Sequence, residues 1–387
     1  MFGNAAGVIG GSGVAVLTGA LTRVQVMRGA GIGEKFSDAY AKYHAAAVTG
    51  LCPTYPLTET SFTRTGAIVS TTGGNAYVVA PDFARANPVQ GVALAPALTN
   101  DCLKNAGILA GEELIITVSA GLTKTTTAVT LATFNLCNCG DRVYEVANAT
   151  GSDGYAYYGA LTGSGAARSV SVRGHHAAGA GAAVGLWDGA TWTNATAVSD
   201  SYVRSHAVVT PANANQQWAI KIPAGATVRF LFGNNVVSPV QAPEIANLVV
   251  DAGAPMGTES INHGCLLSGS SGLVEAVVAP DGWSGTSDGQ TRKVLTDTVS
   301  SGQHCVINNA TQQVIVNDGT NEASQAIAEV DGTYQTIRTG WGPHGLVSDV
   351  AGVQNRDVYD GSLGFGSAMT ESLNRWLRRL TVHRRER

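Results

Sequence analysis

The sequence predicts a mainly β protein, built as tandem β-sandwich or jelly-roll modules behind a short helical and glycine-rich N-terminal segment. Composition is the first observation: 387 residues hold 48 glycines, with only 13% charged and 6% aromatic residues. The polar surface must therefore come from Ser, Thr, Asn and Gln, as in turn-rich β-structure. The second is periodicity, since short β-prone runs recur between turn signals from Ala106 to about Thr258 and again from Leu266 onward. The third is turn chemistry, with Gly beside Asp281, Asp288, Asp318, Asp331 and Asp360. The length allows two or three domains and a sizeable core. A net charge of −4 gives no general pull toward nucleic acid or anionic lipid, so neutral or protein partners are expected.

Residues 1–60 read as a segment for anchoring and oligomerisation. Met1 to Thr22 carries no charged residue and is broken by glycines, which suits neither the basic start of a signal peptide nor a spanning helix. Such a terminus needs packing to be ordered, and another subunit is the expected surface. Ser37 and Asp38 can cap a helix through about Val48, with Phe36, Tyr40, Tyr43 and Ala47 along one stripe. That stripe suits either a helix lying on its own domain or a short seam around a threefold axis. Pro53 and Pro56 end it in a linker.

Residues 61–105 form a header. Phe62, Ala67 to Val69 and Tyr77 to Ala80 are β-prone runs around Thr72-Gly73-Gly74-Asn75, a hairpin signal, and Pro81, Pro88 and Pro96 force an extended path. Residues 106–258 follow as a sandwich or jelly roll. Within it Trp187 and Trp192 flank Asp188-Gly189 in one loop, while Tyr155, Tyr157 and Tyr158 cluster in another. Aromatic groups on a sandwich can hold the apolar face of a sugar ring, with Asp or Asn reaching its hydroxyls. They can equally plug the end of a sandwich or an intersubunit contact. Residues 262–387 give a third run of short strands. Its ending, LGFGSAMTESLNRWLRRLTVHRRER, is ambiguous by periodicity, because Leu373, Trp376, Leu377 and Leu380 also suit a helix.

Signals for catalysis are thin. The chain has no Gly-x-Ser-x-Gly elbow, Walker loop or His-Glu-x-x-His motif. Asp188, Asp251 and Glu275 are carboxylates that a glycosidase could use, but no spacing pairs them and most Asp stand beside Gly as turn residues. No catalytic residue, cofactor or metal is therefore assigned, and no enzyme activity is expected. The cysteines at 52, 102, 137, 139, 265 and 305 are scattered, so free thiols are expected rather than a disulfide framework. Cys137 and Cys139 with His175 and His176 lack the usual zinc spacing. Arg384, Arg385 and Arg387 read as a solvated end or a clamp on an acidic neighbour.

Three stretches carry a family resemblance. The order FTR, Gly turn, AYVVAPDFAR, GVALAPALTN from Ser61 to Asn100 is similar to the segment that tailed-phage virion proteins carry before a carbohydrate-binding-type jelly roll. Arg64, Leu94, Pro96, Ala97, Thr99 and Asn100 keep that pattern, whereas Asp82 to Arg85 has its aromatic and arginine in altered order. Val249 to Pro255 resembles the closing piece of that jelly roll, with Asp251 in place of a Glu. Asn374, Trp376 to Leu380 and Thr381 resemble the last strand of concanavalin-A-like or laminin-G-like modules of phage fibre proteins, which implies a strand there. The resemblance implies a virion fibre or spike protein, homo-oligomeric and trimeric. It would be joined to other virion proteins through its N-terminus and would bind host surface polysaccharide, with no nucleic acid and no membrane span. Its alternatives are a purely structural decoration or tail protein and a glycan depolymerase.

Overall fold

The computed structural model describes residues 61–387 except 73–74, 80, 82–84, 88–89, 109–114, 129–135, 138–141, 159–164, 249–252, 263–266, 270, 285–289, 298–303, 343–344, 358–362, 366–367, 372 and 386–387. The expected N-terminal helix, with Phe36, Tyr40 and Tyr43, lies outside the described residues. Within them every regular element is a β-strand, and no helix is long and apolar enough to cross a membrane. The mainly β sandwich expectation holds.

The described chain divides into two compact units, one of residues 61–64, 82–96 and 258–387, the other of residues 65–81 and 97–257. Residues 61–105 thus supply strands to both. The first unit has two antiparallel sheets of seven strands. One runs Ser61–Thr63, Ser260–Asn262, Ala368–Glu371, Thr291–Asp297, His304–Asn308, Gln313–Asn317, Glu322–Ala326. The other runs Val353–Asp357, Gly345–Val350, Gln335–Gly342, Ser271–Pro280, Arg375–Arg385, Gly91–Leu94, Arg85–Asn87. Their shared core includes Val274, Val278, Leu295, Ile307, Trp341 and Leu377. Arg375 is fully buried, its guanidinium on Glu329 (2.6 and 2.5 Å) and its Nη2 also donating to Asn309 Oδ1 at 2.6 Å. A guanidinium can sit there because each charge is paired and hydrogen-bonded.

In the second unit one sheet is ordered Arg204–Val209, Arg168–Ala178, Thr227–Val237, Arg142–Asn148, Leu122–Ala128, with Leu98–Asn100 and Ala254–Met256 joined to it at Val236. A five-stranded sheet is ordered Trp192–Ala197, Ala183–Trp187, Gln217–Ile222, Gly154–Tyr157, Thr117–Val118. The inner faces share a core that includes Val143, Val172, Leu186, Trp218, Ile220 and Phe230. A smaller sheet pairs Ile245–Ala246, Ala67–Thr72, Asn75–Val79 and, in parallel, Leu136–Cys137.

Buried asparagines tie this unit together. Asn100 donates through Nδ2 to the carbonyls of Gly233 and Ile245 (3.1 and 3.0 Å), and its Oδ1 accepts from the amides of Cys102 and Asn235. Asn105 donates to the same two carbonyls at 2.6 and 3.0 Å, and Asn234 donates to the carbonyl of Pro243 at 2.8 Å. A short amide side chain carries both donors and an acceptor, so it can satisfy backbone groups that no ladder reaches. Replacing Asn100 with Ala would leave the two carbonyls to Asn105 but orphan the amides of Cys102 and Asn235, each costing about 1–3 kcal/mol. Urea unfolding of Asn100→Ala is expected to show a loss of about 2–4 kcal/mol; a loss below about 1 kcal/mol would mean that water or relaxation replaces the side chain.

Candidate functional site

The five-stranded sheet of the second unit gathers aromatic side chains on its outward face. Gly154 and Ala156 point inward and Tyr155 and Tyr157 outward, as strand alternation requires. The register sets Tyr155 against Lys221, Tyr157 against Ala219, and Ala219 against Gly185, with Trp187 lying between Gln217 and Trp192. Tyr155 and Trp187 stand on strands separated by Gln217–Ile222, and Tyr155 lies level with Ala183, four residues short of Trp187, so their backbones are roughly 16 Å apart. Their rings nevertheless stack at 4.3 Å and 9°. They close over the strand between them because Ala219 there is small, and it is 0% exposed although it faces outward. Trp192 tilts against Tyr155 at 5.6 Å, and Tyr157 meets Trp187 edge-on at 4.9 Å. Such pairs contribute about 0.5–1.5 kcal/mol each beyond their burial. All four remain half-buried, leaving ring surface open.

Gly185 is the second small residue in the floor. A methyl group there would fall 2.7 Å from the Trp192 ring and 2.2 Å from the Thr193 carbonyl oxygen, so only hydrogen lets the indole lie across the neighbouring strand.

Asp188 holds the hairpin that presents the two tryptophans. Its Oδ1 accepts from the amides of Ala190 and Thr191 (2.8 and 2.6 Å), and its Oδ2 accepts from Asn213 Nδ2 at 2.5 Å. Gly189, at φ +100°, supplies the conformation that the turn needs. Gln216, fully buried, accepts from Thr193 Oγ1 and the Ala212 amide and donates to the Thr191 carbonyl, bracing the hairpin from the side.

The structure brings Tyr155, Tyr157, Trp187 and Trp192 together, on strands of one sheet face and not in two separate loops, because the alternation of Gly154–Tyr157 and the tight Asp188 turn set them there. Tyr158 is not among them: it follows the inward parity, is 3% exposed and packs on Trp218 at 4.8 Å. Burial pushes its phenol well above the ordinary range. Asp188 lies beside the platform with both oxygens engaged in the turn. Ala219, Gly185, Gln216 and Asn213 are the participants that sequence reasoning missed. The only signal available was the Gly and Ala within otherwise apolar strands, which is too common to single them out.

The other candidate chemistry is placed as follows. His176 Nδ1 lies 2.7 Å from Asp200 Oδ1, and its Nε2 accepts from the Ala182 amide at 3.0 Å. The ring is thereby fixed as a structural bridge. Among the described residues no three of His, Cys, Asp and Glu gather as a metal site. Cys102 and Cys305 are free and buried; burial raises both thiols, that of Cys305 to about 12.

No protein-family model matches the chain, and no curated protein matches it. Solved structures similar to it include the carbohydrate recognition domain of Emp46p in metal-free form (14% identity, 38% of this chain and 81% of that chain, TM-score 0.24). Another is the N-terminal CBM22-1-CBM22-2 tandem domain of Paenibacillus barcinonensis Xyn10C (10% identity, 76% and 98%, TM-score 0.25). Mouse laminin alpha1 chain domains LG4-5 align at 10% identity, over 75% and 88%, with TM-score 0.21. With scores this low, the strand order alone carries the description of the fold.

The Asp188 carboxyl is drawn down to about 2, first by the Thr191 amide and then by Asn213. A depressed carboxyl contributes stability above its unfolded value near 4 and loses it as the pH falls through about 2. Carbon NMR of the Asp188 carboxyl is expected to titrate near pH 2, with the two tryptophan indole signals shifting in step. A midpoint near 4 would break the link between this turn and the platform.

Proposed function

We propose that the protein is a non-catalytic glycan-binding protein of a phage particle, a fibre or spike whose sandwich units attach it to host surface polysaccharide. One observation carries the glycan reading: the half-buried platform of Tyr155, Tyr157, Trp187 and Trp192, fixed on strands over Ala219. Flat apolar ring faces held rigidly beside polar groups are what a sugar's C–H face needs. Gln217 and Lys221 stand on the same face, within the class of groups that hydrogen-bond hydroxyls. Binding without cutting is supported by how the buried glutamates are used, since Glu244, Glu259, Glu275 and Glu329 are each taken up by arginine. Hydrolysis asks for two carboxyl groups facing one another across a cleft. Placement in a virion rests on the resemblance of residues 61–100 and 374–381 to phage fibre proteins.

Each platform would bind weakly, in the millimolar range that corresponds to roughly 4 kcal/mol, and several copies would supply avidity. Particles carrying Trp187→Ala with Trp192→Ala are expected to assemble normally and to adsorb to host cells about tenfold less, a loss of about 1.4 kcal/mol. Unchanged adsorption would remove the platform from the attachment site. Release of reducing ends from host polysaccharide would make the protein a depolymerase. Failure to assemble would show that the platform is sealed by a neighbouring subunit, the structural alternative.

Trimer formation is proposed to depend on residues 1–60, from the uncharged Gly/Ala run and the Phe36, Tyr40, Tyr43 stripe. Deleting them is expected to lower the mass in light scattering from trimer to monomer, and an unchanged mass would place assembly elsewhere.

A further inference from the structure

A second aromatic group lies on the other unit, on the outward face of the sheet that contains Ser271–Pro280. Val274, Ala276 and Val278 enter the core, which turns Glu275, Val277 and Ala279 outward. Trp376 pairs with Ala279 on one side and Ala93 on the other, and Arg85 follows beyond Ala93. Across Ala279, Gln335 opposes Val278, so Tyr334, one residue earlier in the chain, comes beside Ala279. Ala93 and Ala279 are both 0% exposed. Trp376 and Tyr334 therefore stand on either side of a covered alanine, the arrangement found around Ala219. Their orientations are fixed: Trp376 Nε1 donates to Asp281 Oδ1 at 3.0 Å and the Tyr334 hydroxyl to the Gln90 carbonyl at 2.6 Å.

The charges on this face differ from those of the first platform. Arg338 bonds Glu275 and Asp349 (2.9 and 3.1 Å), Arg379 bonds Glu275 (2.5 Å), and Arg85 bonds Asp281 (3.1 Å) with Glu259 beyond at 3.6 Å. Arg378 departs from this pattern. It is the extra residue of a β-bulge opposite Val277 and Val278, and its guanidinium lies 3.5 Å over the Tyr334 ring. Among the described residues it has no carboxylate partner, and its Nε is buried without an acceptor. A guanidinium laid flat on a ring keeps its edge donors directed sideways, the geometry that takes a carboxylate in two parallel hydrogen bonds.

We infer that this face is a second saccharide site, selective for a sugar that carries a carboxylate. Arg378, held on the Tyr334 ring, takes the carboxylate and Trp376 takes the face of the sugar ring. The inference rests on other residues and the other unit, so it stands or falls apart from the first platform.

Isothermal titration of the full-length protein with trigalacturonic acid and with its methyl ester tests it. The acid is expected to bind at least about tenfold tighter than the ester, with the difference shrinking as salt is added. Arg378→Gln should abolish that preference, Arg378→Lys should keep part of it, and Trp376→Ala should weaken both ligands. Equal binding of acid and ester, no binding of either, or an unaltered preference in Arg378→Gln would each overturn the site. Should Arg378→Gln fail to fold, the wild-type Trp376 indole N–H signal decides: it must move with the acid and stay with equimolar ester.

Discussion

The second unit depends on two carbonyl groups, those of Gly233 and Ile245, being satisfied from outside the ladder. The long strand Thr227–Val237 runs through the sheet, and the segments around residues 100–105 and 243–247 must lie against it without becoming full strands. Asn100 and Asn105 both donate to the two carbonyls, while the backbone of Asn105 accepts from Phe232 and donates to Asn247. Each amide is buried at 0% exposure, so its hydrogen bonds are shielded from bulk water. Position of the sheet, and hence of the aromatic face across the core from it, follows from this small set of hydrogen bonds.

The expected fold class was legible because composition and turn chemistry report the same thing at every scale. The ending of the chain shows where periodicity misleads. Leu373, Leu377 and Leu380 are all buried, at helical spacing of four and three, yet Arg375–Arg385 is a strand. The bulge at Arg378 is the reason. It inserts one residue, so the inward face passes from Leu373, Arg375 and Leu377 to Leu380. A shift in parity of that kind mimics a helix in any window that spans it. The resemblance to a terminal lectin-type strand was the better guide there.

The aromatic platform was half legible. Trp187 and Trp192 around Asp-Gly mark a turn, and the turn is present, but its tightness is what pairs the two residues on one face. Tyr155 to Tyr158 read as a single cluster because the sequence does not show where the strand ends. Alternation sends Tyr155 and Tyr157 to one side and Tyr158 into the core. No local pattern links Tyr155 to Trp187, which are brought together by a third strand and by the absence of a large side chain at Ala219. Long-range register is set by the whole sheet. In the same way, nothing in the order of residues 61–105 announces that its strands divide between two units.

Both aromatic faces are built on strands, and this bears on what they can bind. A ring on a loop pays for its ordering when a ligand arrives, whereas Trp187, Tyr155 and Trp376 are already held by stacking, by register and by hydrogen bonds. A weak ligand offering only C–H faces and hydroxyls can then be held by a few groups. Rigidity also limits adaptation, so selectivity must come from the charges set around each face. The first has Lys221 next to Asp153 at 3.3 Å, a pairing that leaves little net field. The second has a guanidinium stacked on Tyr334 with no carboxylate partner among the described residues. On the proposed reading, two faces of similar construction would differ in the sugar they take by the placement of one arginine.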